Sequence, residues 1–385
     1  MIARSRSHLA AILEGQIRRV SRDGTGDARR SGEAVPVKTY LMEGRGPVPP
    51  KAGDHRGPFV TLAEMAADPV LRGMYSTRVH PADDPDLATI EIVQDDERAF
   101  VYVDWADSRH WLLHTFAMSR LADRFVSNLA AARRGVGRAA LPGEFLENAA
   151  ALGSTVALTL GQERRVFEPG ASRGASDFVK ARIWGTRAGR LLSLVRVPGA
   201  LEEGIALSTI QVKHQPDAGD DSVFCLDDLR WDGRIITRGT SLQAHLELTA
   251  ALQGCYARQV QRLESLHAVR MNGRDGILHG RSLTLHLTRP IRHLERFCRM
   301  VFSSANPFLL WGMPVVRGPD SVSVAAVDLN FGQGLAFEFT PEFIRLFLPR
   351  DTSGGTVVRF YTNLQHHLDP RVRLLDQDEC EIFQL

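Results

Sequence analysis

The sequence predicts an α+β fold, with two mixed, mainly antiparallel β-rich units linked by a long amphipathic helix behind a disordered N-terminal leader. Three observations carry this expectation. Residues 20–57 are dense in Gly, Pro and charge ("SRDGTGDARRSGEAVPVK", "EGRGPVPPKAGDHRGP") and cannot bury enough apolar surface to offset chain entropy. Two later regions are broken into short β-branched and aromatic runs separated by turn residues. Between them, Leu242, Leu246, Thr249, Leu252, Tyr256, Val260 and Leu263 recur at a mean spacing of 3.5 residues, the period of an apolar helix seam. The resulting division is a flexible leader over 1–57, an N-terminal α+β domain over 58–238, and the long helix plus a C-terminal α+β domain over 239–385.

Taken in order, "FVTLAEMAADPVLRGMY" reads as a short helix capped by Thr61. "ATIEIVQ" and "AFVYVDW" alternate with period two across the tight turn "DDER", which predicts a hairpin. The next stretch, "SRHWLLHTFAMSRLADRFVSNLAAARR", predicts one helix capped by Ser108, with Leu112, Phe116, Leu121, Phe125 and Leu129 on its apolar side. "TVALTL", "RRVFEP", "VKARIWG", "LLSLVRV", "IALSTIQVKH" and "SVFCLDDL" then read as strands of an antiparallel sheet. After the long helix come strand "SLTLHLT" and helix "PIRHLERFCRMVFSS", opened by Pro290. Strands "FLLWGMPVV", "SVSVAAVDL", "GLAFEFT", "FIRLFLP" and "TVVRFYT" complete the second unit.

Composition bounds the function. Apolar residues make up 44% and charged residues 24%, the ordinary globular mix, and a formal charge of +2 gives no global pull toward nucleic acid or membrane. The basic set is 43 Arg and 4 Lys, which with abundant Ala, Gly and Val points to the codon bias of a GC-rich bacterium. Cys225, Cys255, Cys298 and Cys380 lie far apart, so neither a zinc ribbon nor a paired-cysteine redox site is expected, and a reducing cytoplasm fits. No apolar run is long enough for a membrane span. No metal and no cofactor are expected. P-loop, nucleophile-elbow and dinucleotide-binding patterns are all missing.

The clearest chemical equipment is the run "QHHLDP". His366, His367 and Asp369 would serve as catalytic base, orienter or ligand, with Arg359 beside them. The run resembles the HHxxxD signature of condensation-type acyltransferases, but its Asp arrives two positions early. Adjacent histidines on a helix point about 100° apart, whereas metal ligands favour i,i+4, so ending a helix is the expected task of this pair. In that reading Asn363 caps the helix and Pro370 stops it. An R-x4-H spacing, similar to that of HEPN ribonucleases, occurs at Arg109/His114 and Arg262/His267, both on predicted helices. Chance alone yields about 1.5 such pairs in this composition, so two carry little. Asp217, Asp220, Asp221, Asp227 and Asp228 form an acidic run that reads first as a solvated turn and second as a divalent-cation site. "DTSGGT" reads as a hairpin connection, with an anion nest as the alternative.

Arg289, Arg292, Arg296 and Arg299 fall on one face of the predicted "LERF" helix, and Trp311 follows in "NPFLLWGMP". Tryptophan and arginine are favoured at interface hot spots, so these five residues form the expected interaction surface. The segment Ala257–Leu287 with "LERF" and "SSANPF" resembles the C-terminal part of type VI secretion baseplate proteins, which would imply an assembly role. The expected function is therefore a cytoplasmic adaptor or assembly subunit with a protein partner; the 242–263 stripe reads first as a helix packed on its own core, with a homodimer seam as the alternative. One alternative is a hydrolase or nuclease with a non-linear His/Asp site. The other is an RNA- or DNA-binding module using the Arg-striped helix, which the near-zero net charge does not support.

Overall fold

A computed structural model describes residues 1–23, 35–44, 58–132, 135–163, 178–185, 188–190, 205–216, 220–271 and 278–383. The fold is α+β, with antiparallel pairing predominant, and it divides into two compact units. Unit 1 comprises 1–139, 152–154 and 211–253; unit 2 comprises 140–151, 155–210 and 254–385.

Unit 1 is built around a strand from the expected leader. Helix α1 (Arg6–Asp23) places Leu9, Leu13 and Ile17 at helical spacing, and all three are buried. Strand β1 (Val37–Gly44) is buried at every residue. The Gly- and Pro-rich stretches 24–34 and 45–57 lie outside the described residues. Helices α2 (Pro58–Ala66) and α3 (Pro69–Met74) precede β2 (Ser76–Pro81), β3 (Leu87–Gln94) and β4 (Glu97–Asp104). The predicted hairpin is β3–β4. Its two loop residues, Asp95 and Asp96, have φ of 47° and 67°, the left-handed pair that suits a two-residue turn between twisted strands.

The predicted helix from Ser108 is instead two elements, strand β5 (His110–Thr115) and helix α4 (Ser119–Ala132). "HWLLHT" pairs with β1 and β4 and is almost wholly buried. A strand covered on both sides shows a continuous apolar run rather than alternation, which sequence spacing cannot separate from a buried helix. β6 (Val136–Arg138) also pairs with β1. Helix α5 (Gly143–Ala149), the paired strands β7 (Ser154–Glu163) and β8 (Phe178–Trp184), and β9 (Ala206–His214) follow. The expected strands "RRVFEP" and "LLSLVRV" fall largely or wholly outside the described residues. With β10 (Cys225–Arg230) and β11 (Arg234–Gly239), the unit 1 strands run in the order β2-β3-β4-β5-β1-β11-β10.

The long helix is α6 (Leu242–His267), and the division between units falls within it. Leu242, Thr249, Leu252, Tyr256, Val260 and Leu263 are buried within this chain, so the 3.5-residue stripe serves intramolecular packing.

In unit 2, β12 (Ala268–Met271), β13 (Leu278–His279) and β14 (Leu283–His286) are followed by helix α7 (Leu294–Val301). This helix begins four residues beyond Pro290, because the Ile291 amide donates to the Pro341 carbonyl (2.8 Å) rather than entering a helical turn. Strands β15 (Leu310–Gly318), β16 (Ser321–Asp328), β17 (Gly334–Phe339) and β18 (Phe343–Pro349) form a meander, and β14 adds to β18. Their inward side chains, including Val322, Val324, Leu335, Phe337, Phe339, Ile344 and Leu346, make the core.

The predicted last strand, "TVVRFYT", is instead part of helix α8 (Gly354–His367), which precedes β19 (Arg373–Leu375). Ser353 caps it, accepting from the Gly355 amide at 2.9 Å. All fourteen residues of α8 are buried, so it has no polar face to reveal its period. Its polar side chains are met internally. Arg359 pairs with Asp328 (2.6 Å), Asn363 donates to the Pro307 carbonyl (2.9 Å), and Gln365 donates to Glu144 (3.1 Å). Burial pushes the Glu144 carboxyl above its ordinary range, and the Tyr361 hydroxyl donates to it at 2.7 Å.

Candidate interaction surface

Strand alternation sends every second residue of the unit 2 meander away from its core. On β15 these outward residues are Trp311, Met313 and Val315, which are 57%, 76% and 44% exposed. The ladder carries the surface across the sheet. Met313 lies opposite Ala325, Ala325 opposite Ala336, and Ala336 opposite Phe347. One row along, Trp311 faces Val327, which faces Gly334. On the other side, Val315 meets Ser323, then Glu338, then Arg345. Two rows of this face are thus apolar throughout, and only the third carries charge.

The edge of β15 is less available than its face. Gly312 donates outward to the Phe302 carbonyl (3.4 Å) and Ser304 donates to the Leu310 carbonyl (2.9 Å), so the strand's first part is already occupied. Two residues on, the Pro314 nitrogen points the same way and has no hydrogen to offer. Proline on an edge strand blocks pairing with another strand.

The five residues expected as one surface are divided by the sheet. Arg289, Arg292, Arg296 and Arg299 are all exposed and Leu294, Phe297 and Val301 are buried, but only Arg296 and Arg299 lie on α7, Arg289 and Arg292 preceding it, so the four do not share one helix face. Helix α7 packs on the inner side, where Phe297 meets Phe339 edge-on with ring centroids 6.0 Å apart. Trp311 points to the outer side. Arg299 also pairs with Glu295 on its own helix at 2.6 Å, so the stripe is not purely basic.

His366 and His367 end α8, as expected, and both are buried; Ser353 rather than Asn363 caps the helix. Asp369 serves the backbone: its carboxylate accepts from the Thr288 amide (2.6 Å), the Thr288 hydroxyl (2.9 Å) and the Arg371 amide (3.0 Å). "DTSGGT" is the entry to α8 rather than a hairpin, and its Gly354 amide is used by Glu264 at 2.8 Å. The acidic run is dispersed: Asp228 pairs with Arg238, Asp221 accepts from Gln215, Asp220 caps Ser222, and Asp217 lies outside the described residues. Among the described residues, no three His, Cys, Asp or Glu side chains group as metal ligands.

One constellation escaped sequence reasoning. In unit 1, Thr39 Oγ1 lies 2.8 Å from His245 Nε2 and 2.9 Å from His114 Nδ1, while His245 Nδ1 lies 2.8 Å from Asp227 Oδ2. The proton assignment that satisfies every contact has His114 donating to Thr39, Thr39 to His245, and His245 to Asp227. The hydroxyl–imidazole–carboxylate order is that of a nucleophilic triad. Yet all four residues are buried, the most accessible being His114 at 2%, so the chain pins β1, β5, β10 and α6 together in the interior. Burial holds the His114 imidazole down at about 4. The four residues come from four elements, and the sequence signals only two of them separately, His114 in an R-x4-H pair and Asp227 in the acidic run; Arg109 of that pair instead binds Glu43 at 2.7 Å. His267, from the other pair, is buried, and burial lowers its pKa.

This geometry defines an α+β protein that, among the described residues, buries its His–Thr–His–Asp cluster and exposes a run of large apolar residues on β15. The chain belongs to the MJECL33-like protein family, whose model matches residues 2–383. It is 27% identical over 152 residues to the protein MJECL33 of Methanocaldococcus jannaschii, a match covering 39% of this chain and 36% of that protein. Among the described residues, no helix is long and apolar enough to cross a membrane.

Proposed function

We propose that this chain is an adaptor or assembly subunit that works by protein–protein contact, with the outer face of β15–β18 as its contact surface. The observation that carries the reading is the register of Trp311, Met313 and Val315 with Val327, Ala325, Ala336 and Phe347, which makes a continuous apolar face. Contiguous exposed apolar patches of this kind mark interaction sites, and Trp and Met are favoured within them. A cytoplasmic setting remains part of the proposal.

The test is purification of the intact protein from its own host at moderate salt, after nuclease treatment, beside an Ala325→Arg variant. A stoichiometric protein partner that the variant loses supports the reading. Co-purifying metal without any partner would favour the hydrolase alternative. Polynucleotide affinity that falls steeply with salt and depends on Arg292 and Arg296 would favour a nucleic-acid module.

A further inference from the structure

We propose that the outer face of β15–β18 is a trough for a single amphipathic α-helix of another protein, apolar along one side and carrying an acidic residue at one end. The inference rests on the assembly reading above and specifies its partner. Side-chain size across the four strands carries it. The outer strands raise bulky groups, Trp311 and Met313 on β15 and Phe343, Arg345 and Phe347 on β18. The two strands between them present a low floor of Ala325, Val327 and Ser323 on β16 and Gly334 and Ala336 on β17, and Glu338 rises from β17 only in the Val315 row, where it pairs with Arg345. Three strand spacings separate the two walls, about 14 Å. That distance runs from strand axis to strand axis, so a helix about 10–12 Å across with its side chains seats its near side between the wall side chains.

Other occupants fit worse. A second sheet would rest on the raised walls and leave the floor empty, forfeiting the close packing that apolar interfaces require. A second copy of this same face would set wall against wall with the same result. An added strand is opposed by Pro314 and by the bonds already made to Leu310 and Gly312. From Trp311 to Val315 the floor runs four residues, about 14 Å, which a helix of some nine residues spans.

Charge sets the helix's ends. The Trp311 end of the trough is uncharged. At the Val315 end, Arg345 pairs with Glu338, whereas Arg317 donates to the Ser323 hydroxyl (2.9 Å) and has no carboxylate partner among the described residues. One positive charge therefore remains beside the trough, and an acidic residue at the near end of the helix would match it.

The experiment replaces Met313 with the photocrosslinker p-benzoylphenylalanine in the full chain, expressed in its own host, with the same replacement at exposed Val70 as control. Crosslinked residues are read by peptide mass spectrometry. The expected result is a set of attachment points in one segment of another protein, spaced three or four residues apart, at least tenfold above the Val70 control. Crosslinks to a second copy of this chain, attachment points spaced by two, or a yield equal to the control would each overturn the proposal. Ala325→Arg fills the floor and Arg317→Glu reverses the end charge; each should cut the yield at least tenfold with the thermal melt unchanged. If Ala325→Arg melts early, Met313→Glu at an exposed position replaces it, with the crosslinker moved to Val315. A stoichiometric partner retained by these variants would refute the trough and move the adaptor's contact surface off β15–β18, whereas no partner for the wild type would refute the adaptor role as well.

Discussion

Acidification should unpin unit 1 through His114. Its ring is buried, its Nδ1 is committed to Thr39, and burial holds its pKa at about 4 against an ordinary value near 6.5. Between those values the unfolded chain binds a proton that the folded chain refuses. The stability that neutral His114 contributes is therefore complete above pH 6.5 and is lost as pH falls toward 4. A displacement of about two and a half pH units corresponds to about 3 kcal/mol, a large share of the stability of a typical domain. Urea unfolding followed by tryptophan fluorescence, with Trp184 and Trp311 of unit 2 replaced by Phe, reports on this unit through buried Trp105 and Trp111, and His114→Asn provides the comparison, since an amide can keep the donor near Nδ1 but does not titrate. The variant should be the less stable protein at pH 7.5. Its deficit should shrink by about 3 kcal/mol as pH approaches 4. A deficit constant across that range, or an imidazole pKa above 6 by NMR, would refute the reasoning.

Thr39→Val keeps the shape of the side chain but strips two imidazoles of their shared hydroxyl; unfolding should show a loss of about 2–4 kcal/mol, most of it recovered by Thr39→Ser. Asp369→Ala removes the acceptor for the Thr288 amide, the Thr288 hydroxyl and the Arg371 amide; a loss of about 2–3 kcal/mol in a thermal melt is expected, and a melt unchanged from wild type would return Asp369 to the list of candidate catalytic groups. In native-state alkylation followed by intact mass, exposed Cys380 should react first, while buried Cys225 and Cys298, the latter pushed up to about 12 by burial, should react only on unfolding.

The sequence was most legible where one side of an element meets water. The β3–β4 hairpin and α6 announced themselves because their polar and apolar residues alternate at the period of the element. Legibility failed where both sides are buried. β5 was absorbed into a predicted helix, and α8 was read as a strand from "TVVRFYT", since a wholly buried helix shows β-branched and aromatic residues without a polar face. The Gly-rich leader misled in the opposite way: its composition hid β1, whose eight residues lie in the middle of a sheet. At the candidate surface, Trp311 and the arginines were found by residue type, but their placement on opposite sides of a sheet depends on β15 pairing beside α7. Local spacing holds no record of that. The hydrogen-bonded chain from His114 to Asp227 was least legible, because it spans four elements from β1 to α6.

The division of the two units has a consequence for synthesis. Unit 1 takes its last segment from residues 211–253, and β1 receives one of its two long partners, β11, only when Thr237 has been made to sit opposite Val37. A ribosome adding roughly 5–20 residues per second needs some ten seconds or more to travel from the first of these strands to the second. During that interval the edge of β1 destined for β11 is an open template. Nascent chains of this protein are therefore exposed to strand-pairing errors for longer than a chain with sequential domains, and a holding chaperone would act on this stretch of the emerging polypeptide.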